Sequence, residues 1–219
     1  MLSPTFGPAD STTPSGPRTA PQQLTTLKIV IAGGFGVGKT TAVGAVSEIT
    51  PLRTEEYLTE SSVLVDSLDG VEAKTTTTVA FDFGRLTLPD APVPLELYLF
   101  GAPGQDRFLG LWHDLARGAI GAMVLVDTRR LETSFTAISF FEDNGLPFVI
   151  ANNVFDGAPR FHTEQIRAAL DLDPHVPVLT CDARNPSHVA AALITLVQHT
   201  LHTAPDHTGL RRNTFQDAR

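Results

Sequence analysis

Lys39 and Thr40 end a glycine-rich segment, GGFGVGKT, that begins at Gly33. Its spacing is G-x-x-x-x-G-K-[ST], and it stands between the apolar run LKIVIA and a helical pattern. Glycines let such a backbone wrap a polyphosphate with its N–H groups and with the positive end of the helix, while the lysine reaches the terminal phosphates and the hydroxyl offers a magnesium ligand. The sequence therefore predicts a polyphosphate site lined by Gly33, Gly34, Phe35, Gly36, Val37, Gly38, Lys39, Thr40 and Thr41.

A second polar cluster, Asn153, Val154 and Asp156, follows the apolar run PFVIAN. It forms an N-x-x-D motif at the carboxyl edge of a predicted strand, where parallel sheets bind ligands. A carboxylate there can accept hydrogen bonds from N1–H and the exocyclic amine of guanine, whereas adenine has an acceptor at N1 and no amine at C2. Val154 replaces the usual lysine of this motif, which removes a cation but keeps apolar cover. The same short motif also occurs in solvated turns, and its place in the strand order favours guanine binding.

The segment TVAFDFG, which begins at Thr78, matches the Thr-x-x-x-Asp-Phe form of a first nucleotide-sensing switch. We expect Thr78 to sense a γ-phosphate through magnesium. Thr75, Thr76 and Thr77 are alternative sensors, and a β-branched entrance to a strand is the purely structural alternative.

The segment GAPGQ supplies a second switch. The N–H of Gly104 can bond a γ-phosphate, and Gln105 can orient the attacking water. The sequence therefore predicts nucleotide hydrolysis, with the catalytic candidates Gln105, Lys39 and Thr78 and the metal ligands Thr40 and Thr78.

Gly101 stands where such switches ordinarily carry an aspartate that holds magnesium through water. Its absence predicts weakened rather than abolished metal binding, because the hydroxyl of Thr40 and the phosphate contacts remain. Asp82 and Asp127 are the candidates for compensation, and the sequence places neither of them near the ion.

Phe35 occupies the position of the phosphate loop where glycine is favoured and where an activating arginine approaches. Its ring should obstruct that arginine. We therefore expect slow intrinsic hydrolysis and a stimulating partner that aligns Gln105 and Thr78 instead of inserting an arginine.

Composition narrows the class of partner. The net charge is -8, with 16 basic and 24 acidic residues, and no long basic run is present, so we expect no nucleic-acid role. There is no apolar span that could cross a bilayer and no signal-peptide pattern, and Cys181 is the single cysteine. We expect a cytoplasmic protein without direct membrane insertion.

The pattern along the chain divides it into three parts. Residues 1–24 are rich in Pro, Ser and Thr and are expected to be a disordered tail, 25–202 a single domain, and 203–219 a flexible tail. Short apolar runs alternate with helical segments within the domain, which predicts an α/β fold with a mostly parallel sheet, helices on both faces and one antiparallel strand. The linker 51–74 is polar and long, and is interpreted as a functional loop.

From about residue 27 to 202 the chain resembles the conservon-type small GTPases of actinobacteria and, more distantly, the bacterial gliding-motility and polarity GTPases of the Ras superfamily. The segments that carry the resemblance are GGFGVGKTT, KTTTTVAFDFGRLTL, YLFGAPGQDRF, GAIGAMVLVDTRRL and GLPFVIANNVFDG. In both groups the switch aspartate is replaced while Pro-Gly-Gln is retained, so Gly101 resembles a family trait. The gliding-motility relatives carry an arginine before the switch threonine, and here that residue is Thr77.

The resemblance implies a Ras-like P-loop small GTPase fold, bound GTP or GDP and Mg²⁺. It also implies a base-contacting loop after the run PVLTC, in which the N–H of Ala183 meets the guanine carbonyl and Asp182 steadies the loop. The residues of this loop are Cys181, Asp182, Ala183 and Arg184. The implied partners are a roadblock-type regulator, a small third component and a sensor-kinase-like membrane protein that could recruit the chain to the membrane.

Three functions compete at this level. The first is a GTP-dependent switch that hydrolyses GTP to GDP. The second is a scaffold that holds nucleotide without hydrolysing it, which Gly101, Val154 and Phe35 favour and Gln105 opposes. The third is an ATP-dependent phosphotransferase on the same phosphate loop, which Asp156 disfavours.

Overall fold

A single sheet carries the helices of the domain. The computed structural model describes residues 24–58, 77–89, 91, 93–104 and 108–203, with the backbone alone for 53–58 and 77–80. Within these residues the strands are β1 (Thr25–Ala32), β2 (Leu52–Leu58), β3 (Thr77–Leu88), β4 (Leu95–Gly101), β5 (Gly121–Val126), β6 (Phe148–Asn153) and β7 (Val178–Cys181). The α-helices are α1 (Lys39–Val46), α2 (Leu109–Ala116), α3 (Phe135–Asp143), α4 (Thr163–Ala169) and α5 (Pro186–Thr203), and a 3-10 turn spans Leu131–Ser134.

The strand order is β2-β3-β4-β1-β5-β6-β7. Strands β4, β1, β5, β6 and β7 are mutually parallel neighbours, and β3 is antiparallel to both β2 and β4. The short connection from β3 to β4 leaves no room for a crossover helix, so this pair must be antiparallel. The predicted mostly parallel sheet with one antiparallel strand is confirmed.

Strand β2 differs from the sequence interpretation of residues 51–74 as a loop. Leu52–Leu58 pairs in register with β3, from Leu52 opposite Phe83 to Leu58 opposite Thr77. The segment LRTEEYL has the polar composition of a loop, and it forms a strand because it pairs with the outer edge of β3, whose N–H and C=O groups would otherwise lack partners. The rest of that linker, 59–74, lies outside the described residues, as do most of the two predicted tails.

The core has two layers, one on each face of the sheet, because successive residues of a strand point to opposite faces. Ile29 and Ile31 of β1 pack with α1 and α5, whereas Val30 and Ala32 pack with α2, α3 and α4. The strands β5 and β6 are buried along their whole length. Both faces are therefore covered, as the near-continuous apolar runs predict.

Helix α2 follows the second switch and contributes to the core. Trp112 and Leu115 of the helix are buried, as is Phe108 just before it, so this face of the helix packs inside the protein. The indole N–H of Trp112 donates to the carbonyl oxygen of Pro103 at 2.9 Å, which connects the helix to the start of the switch. Among the described helices, none is both long enough and apolar enough to cross a bilayer.

Candidate functional site

The candidate site lies where the carboxyl ends of parallel strands meet at one edge of the sheet. Strand β1 leads into the glycine-rich loop, β6 ends at Asn153, and β7 ends at Cys181. Asn153 is the register partner of Cys181, so the N-x-x-D motif and the loop after β7 start side by side. The topology thus brings three separate sequence segments together at the position where such sheets bind ligands.

The glycine-rich loop leads directly into α1. Gly38 precedes the helix with a φ of 105°, a conformation that favours glycine, and a Cβ there would lie only 2.7 Å from the side-chain nitrogen of Asn153. Lys39 starts the helix, and its Nζ donates to the carbonyl oxygens of Gly33 at 2.9 Å and Gly34 at 2.7 Å. The lysine ammonium is therefore held inside the loop.

Burial also changes the acidity of this lysine. Desolvation lowers the pKa of Lys39 to about 8, and the nearby carboxylate of Asp82 opposes part of that shift. An added polyanion would favour the charged form of the ammonium. We therefore expect the pKa of Lys39 to rise when a phosphate binds, as it does for a lysine that pairs with an anion.

Asn153 connects the phosphate loop to the loop after β7. Its side chain donates to the carbonyl oxygen of Val37 and accepts from the N–H of Ala183, both at 2.9 Å, and it is almost fully buried. Because both groups of the amide are used, the rotation of the side chain is fixed. The N–H of Ala183 is engaged by Asn153, and its role as a donor to a guanine carbonyl stays a prediction.

Asp156 extends into solvent beyond this junction and pairs with Arg184. The guanidinium of Arg184 donates to both carboxylate oxygens of Asp156, at 3.2 and 3.3 Å, and to both oxygens of Asp182, each at 2.9 Å. These hydrogen bonds lower the pKa of Asp156, and they lower that of Asp182 to about 2. Both carboxylates are therefore charged at neutral pH, as recognition of two N–H donors requires.

The hydroxyl of Thr40 faces a carboxylate from the neighbouring strand. Thr40 Oγ1 donates to Asp82 Oδ2 at 2.5 Å. Asp82 pairs in register with Gly101, and a Cβ on Gly101 would lie 3.3 Å from the same Oδ2. The carboxylate of Asp82 thus lies beside the position that an aspartate at 101 would occupy, whereas Asp127 pairs with two arginines elsewhere. Thr40 and Asp82 supply the hard oxygen donors that Mg²⁺ prefers.

The described part of the chain holds no group of three or more His, Cys, Asp or Glu residues that could hold a metal ion. A magnesium ion here would therefore be bound by hydroxyl groups, few carboxylates and the phosphates of a nucleotide. Magnesium is usually bound in this way at nucleotide sites.

The structure describes only part of each predicted switch. Thr78 lies in β3 opposite Tyr57, and the description of it covers the backbone alone. Gly104 approaches the phosphate loop so closely that a Cβ there would lie 2.8 Å from the carbonyl oxygen of Gly34. Gln105 lies outside the described residues, and its catalytic role stays a prediction.

The remaining predicted residues flank the site. Phe35, in the phosphate loop, is 69% exposed. The N–H of Val154 donates to the carbonyl of Cys181 at 2.8 Å, and burial raises the pKa of the Cys181 thiol to about 11, so the cysteine is structural in character. Thr41 is an exposed residue in the first turn of α1.

The site motifs predicted from the sequence did not include Arg129 and Arg130, which lie just after β5. Both side chains pair with the buried carboxylate of Asp127, at 2.8 Å for Arg129 and 3.5 Å for Arg130. An acidic residue at the end of a fully apolar strand, followed by two arginines, was the available signal, because a buried charge requires a partner.

The sheet order, the single antiparallel strand and the glycine-rich loop after β1 define a P-loop protein with the Ras-like small GTPase fold. Residues 31–203 match the protein family described as "Conserved hypothetical ATP binding protein", and the chain belongs to this family. The chain is also similar to the human Ras-related protein Rab-7b, with 24% identity over 191 residues, covering 83% of this chain and 85% of that protein. The fold, the site and the family together indicate a nucleotide-binding protein.

Proposed function

We propose that this protein is a GTP-binding molecular switch that slowly hydrolyses GTP to GDP and is stimulated by a partner. Asn153 carries the proposal, because its side chain bonds both the phosphate loop, at Val37, and the loop after β7, at Ala183. A nucleotide that places its polyphosphate at Lys39 would bring its base to the loops that Asn153 orders. The similarity to a Ras-related protein supports the same class.

Asp156 supports guanine as the base. Its charged carboxylate already accepts two N–H donors from the planar guanidinium of Arg184. The N1–H and exocyclic amine of guanine form a similar pair of donors, and adenine does not. Guanine would therefore replace Arg184 on Asp156, and Arg184 would keep its two bonds to Asp182.

Thr40, Thr78 and Asp82 are the residues proposed to hold Mg²⁺. The hydroxyl of Thr40 and the carboxylate of Asp82 lie within hydrogen-bond distance, and both are hard oxygen donors. A bound magnesium ion would neutralise charge that develops on the phosphates during hydrolysis.

The chain's own residues perform the other tasks of hydrolysis. Gln105 would orient a water molecule whose oxygen attacks the γ-phosphorus, while the bond from that phosphorus to the β–γ bridging oxygen breaks and GDP leaves. Lys39 and the N–H groups of the phosphate loop would stabilise the charge on the terminal phosphates. Gly104 lies close enough to the phosphate loop to contribute its N–H.

Trp112 offers a direct test of the switch. It is the only tryptophan, and its indole donates to Pro103 in the segment that precedes Gly104 and Gln105. If the second switch rearranges with the γ-phosphate, tryptophan fluorescence will differ between GDP and a non-hydrolysable GTP analogue. A Lys39→Ala variant retains Trp112 and should show no such difference. Equal spectra for both nucleotides in wild type would contradict a switch.

The scaffold remains the alternative, since Gly101 and Val154 depart from the usual GTPase pattern, and the family description raises ATP as a competing ligand. Identification of the nucleotide that purified protein retains separates ATP from GTP. Phosphate release, followed with and without magnesium, then separates a hydrolase from a scaffold. GTP binding without phosphate release would favour the scaffold, and preferential ATP binding would favour a phosphotransferase.

The proposed cellular context rests on the resemblance to the conservon-type GTPases. It comprises a roadblock-type regulator and a sensor-kinase-like membrane protein, through which a cytoplasmic chain would be recruited to the membrane. A pull-down with a roadblock-type protein, repeated with GDP and with a GTP analogue, tests for nucleotide-dependent association.

A further inference from the structure

A single buried carboxylate holds two consecutive arginines beside the nucleotide site. Asp127 follows β5 and is fully buried. Arg129 donates to Oδ1 at 2.9 Å and to Oδ2 at 2.8 Å, and Nη2 of Arg130 lies 3.5 Å from Oδ2. The backbone N–H of Arg130 also donates to the carbonyl of Asp127 at 2.8 Å. Because a buried carboxylate requires compensation, this cluster keeps both arginines near the end of β5.

The two guanidinium groups contact different halves of the site. The guanidinium of Arg129 lies 3.9 Å from the ring centroid of Phe155, which stands inside the N-x-x-D motif next to Asp156. Nη2 of Arg130 donates to the carbonyl oxygen of Phe35 at 3.4 Å, in the middle of the phosphate loop. Through Arg129 and Arg130, Asp127 thus connects the loop of the N-x-x-D motif to the phosphate loop.

The contact at Phe35 acts on a peptide group rather than on a side chain. In a trans peptide the C=O of Phe35 and the N–H of Gly36 point in opposite directions. Because Arg130 binds the carbonyl of Phe35, the N–H of Gly36 points away from the guanidinium and can face a bound polyphosphate. A charged donor on a carbonyl polarises the whole amide group and strengthens its N–H as a donor.

We propose that Arg130 is a positioning residue of the phosphate loop, which orients the Phe35–Gly36 peptide and strengthens its N–H toward the polyphosphate. This inference rests on the nucleotide site proposed above. Arg130 thereby supplies a cation near the loop in a chain whose N-x-x-D motif carries Val154 instead of lysine. Arg129 is the corresponding positioning residue for the loop of the N-x-x-D motif, which it contacts at Phe155.

The two arginines are matched controls for each other. We expect Arg130→Ala in the full-length protein to weaken GDP affinity about three- to tenfold and to leave the preference for GDP over IDP unchanged, since a charged hydrogen bond to the phosphate loop is lost. Arg129→Ala should instead reduce the preference for GDP over IDP, because Phe155 and the adjacent Asp156 lose their support. Arg130→Lys keeps a charged donor and should stay within about twofold of wild type.

Competition with a fluorescent GDP analogue measures both quantities, and the thermal unfolding temperature without nucleotide reports damage to the fold. The inference is overturned if Arg130→Ala binds GDP like wild type, or if both alanine variants lose affinity and base preference alike. If wild type instead prefers ADP to GDP, the proposed guanine specificity fails, and the same Arg130 comparison made with ADP still tests the phosphate loop.

Discussion

The hydroxyl of Thr40 donates a hydrogen bond to the carboxylate of Asp82, 2.5 Å away, beside the space that Gly101 leaves on the neighbouring strand. Asp82 belongs to the adjacent antiparallel strand β3, and its carboxylate lies beside position 101, where the sequence comparison with small GTPases leads us to expect an aspartate. Gly101 and Asp82 are register partners, so side chains at these two positions lie close together.

Asp82→Asn should raise the Mg²⁺ concentration needed for half-maximal GTP hydrolysis about 10- to 100-fold, which is the usual effect of losing a group that supports a metal ligand. GDP binding in EDTA should remain. The double variant Asp82→Asn, Gly101→Asp should recover most of the lost Mg²⁺ affinity, because the new carboxylate arises beside the same position. A magnesium titration of phosphate release measures both effects, and an unchanged titration for Asp82→Asn would contradict the assignment.

Asp156→Asn should weaken GDP affinity about 10- to 100-fold, because two hydrogen bonds to a charged acceptor are lost. The same variant should gain affinity for XDP, since the asparagine amide can donate to the carbonyl oxygen at C2 of xanthine. Asp182→Asn is the matched control, because Asp182 pairs with the same arginine but is not expected to contact the base. Competition binding with GDP, XDP and ADP measures the preference, and a preference that Asp182→Asn changes equally would count against Asp156 as the base reader.

Lys39 makes nucleotide affinity depend on pH. Burial lowers its pKa to about 8, so the ammonium is already charged well below pH 8 and must take up a proton to bind phosphate above it. GDP affinity should therefore fall about threefold between pH 7.5 and pH 8.5, with net proton uptake at pH 8. Calorimetry in two buffers of different ionisation enthalpy measures that uptake. Lys39→Arg stays charged over this range and should show no such slope, and binding by wild type without proton uptake would refute the explanation.

Phe35 is expected to exclude an external guanidinium from the γ-phosphate. If its exposed ring is the obstruction, free guanidinium ion will stimulate single-turnover hydrolysis in Phe35→Gly and not in wild type. The stimulation should be far below the ~10³ to 10⁵ of an arginine finger, because a free ion is not positioned by a partner. Phe35→Leu keeps the bulk and serves as control. Equal stimulation of the glycine variant and of wild type would contradict the prediction that the ring of Phe35 obstructs the guanidinium.

The phosphate loop and the strand pattern were predictable because their signals are local. GGFGVGKT places Lys39 and Thr40 by its spacing, and near-continuous apolar runs indicate strands that are buried on both faces. Strand β2 was not predictable in the same way, since LRTEEYL pairs with the edge of β3 despite a loop-like composition. Gln105 and the side chain of Thr78 belong to the switches that the sequence identifies, and their roles stay predictions.

The sequence by itself therefore determined the glycine-rich phosphate-loop motif, the class of the sheet and the candidate base reader Asp156, because each depends on residue types at short spacing. Only the tertiary structure decided that Asp82 rather than Asp127 lies beside Thr40, and that Arg129 and Arg130 contact Phe155 and Phe35. Those relationships join residues that are distant in the chain, and they depend on strand register and on the direction in which each side chain leaves its strand.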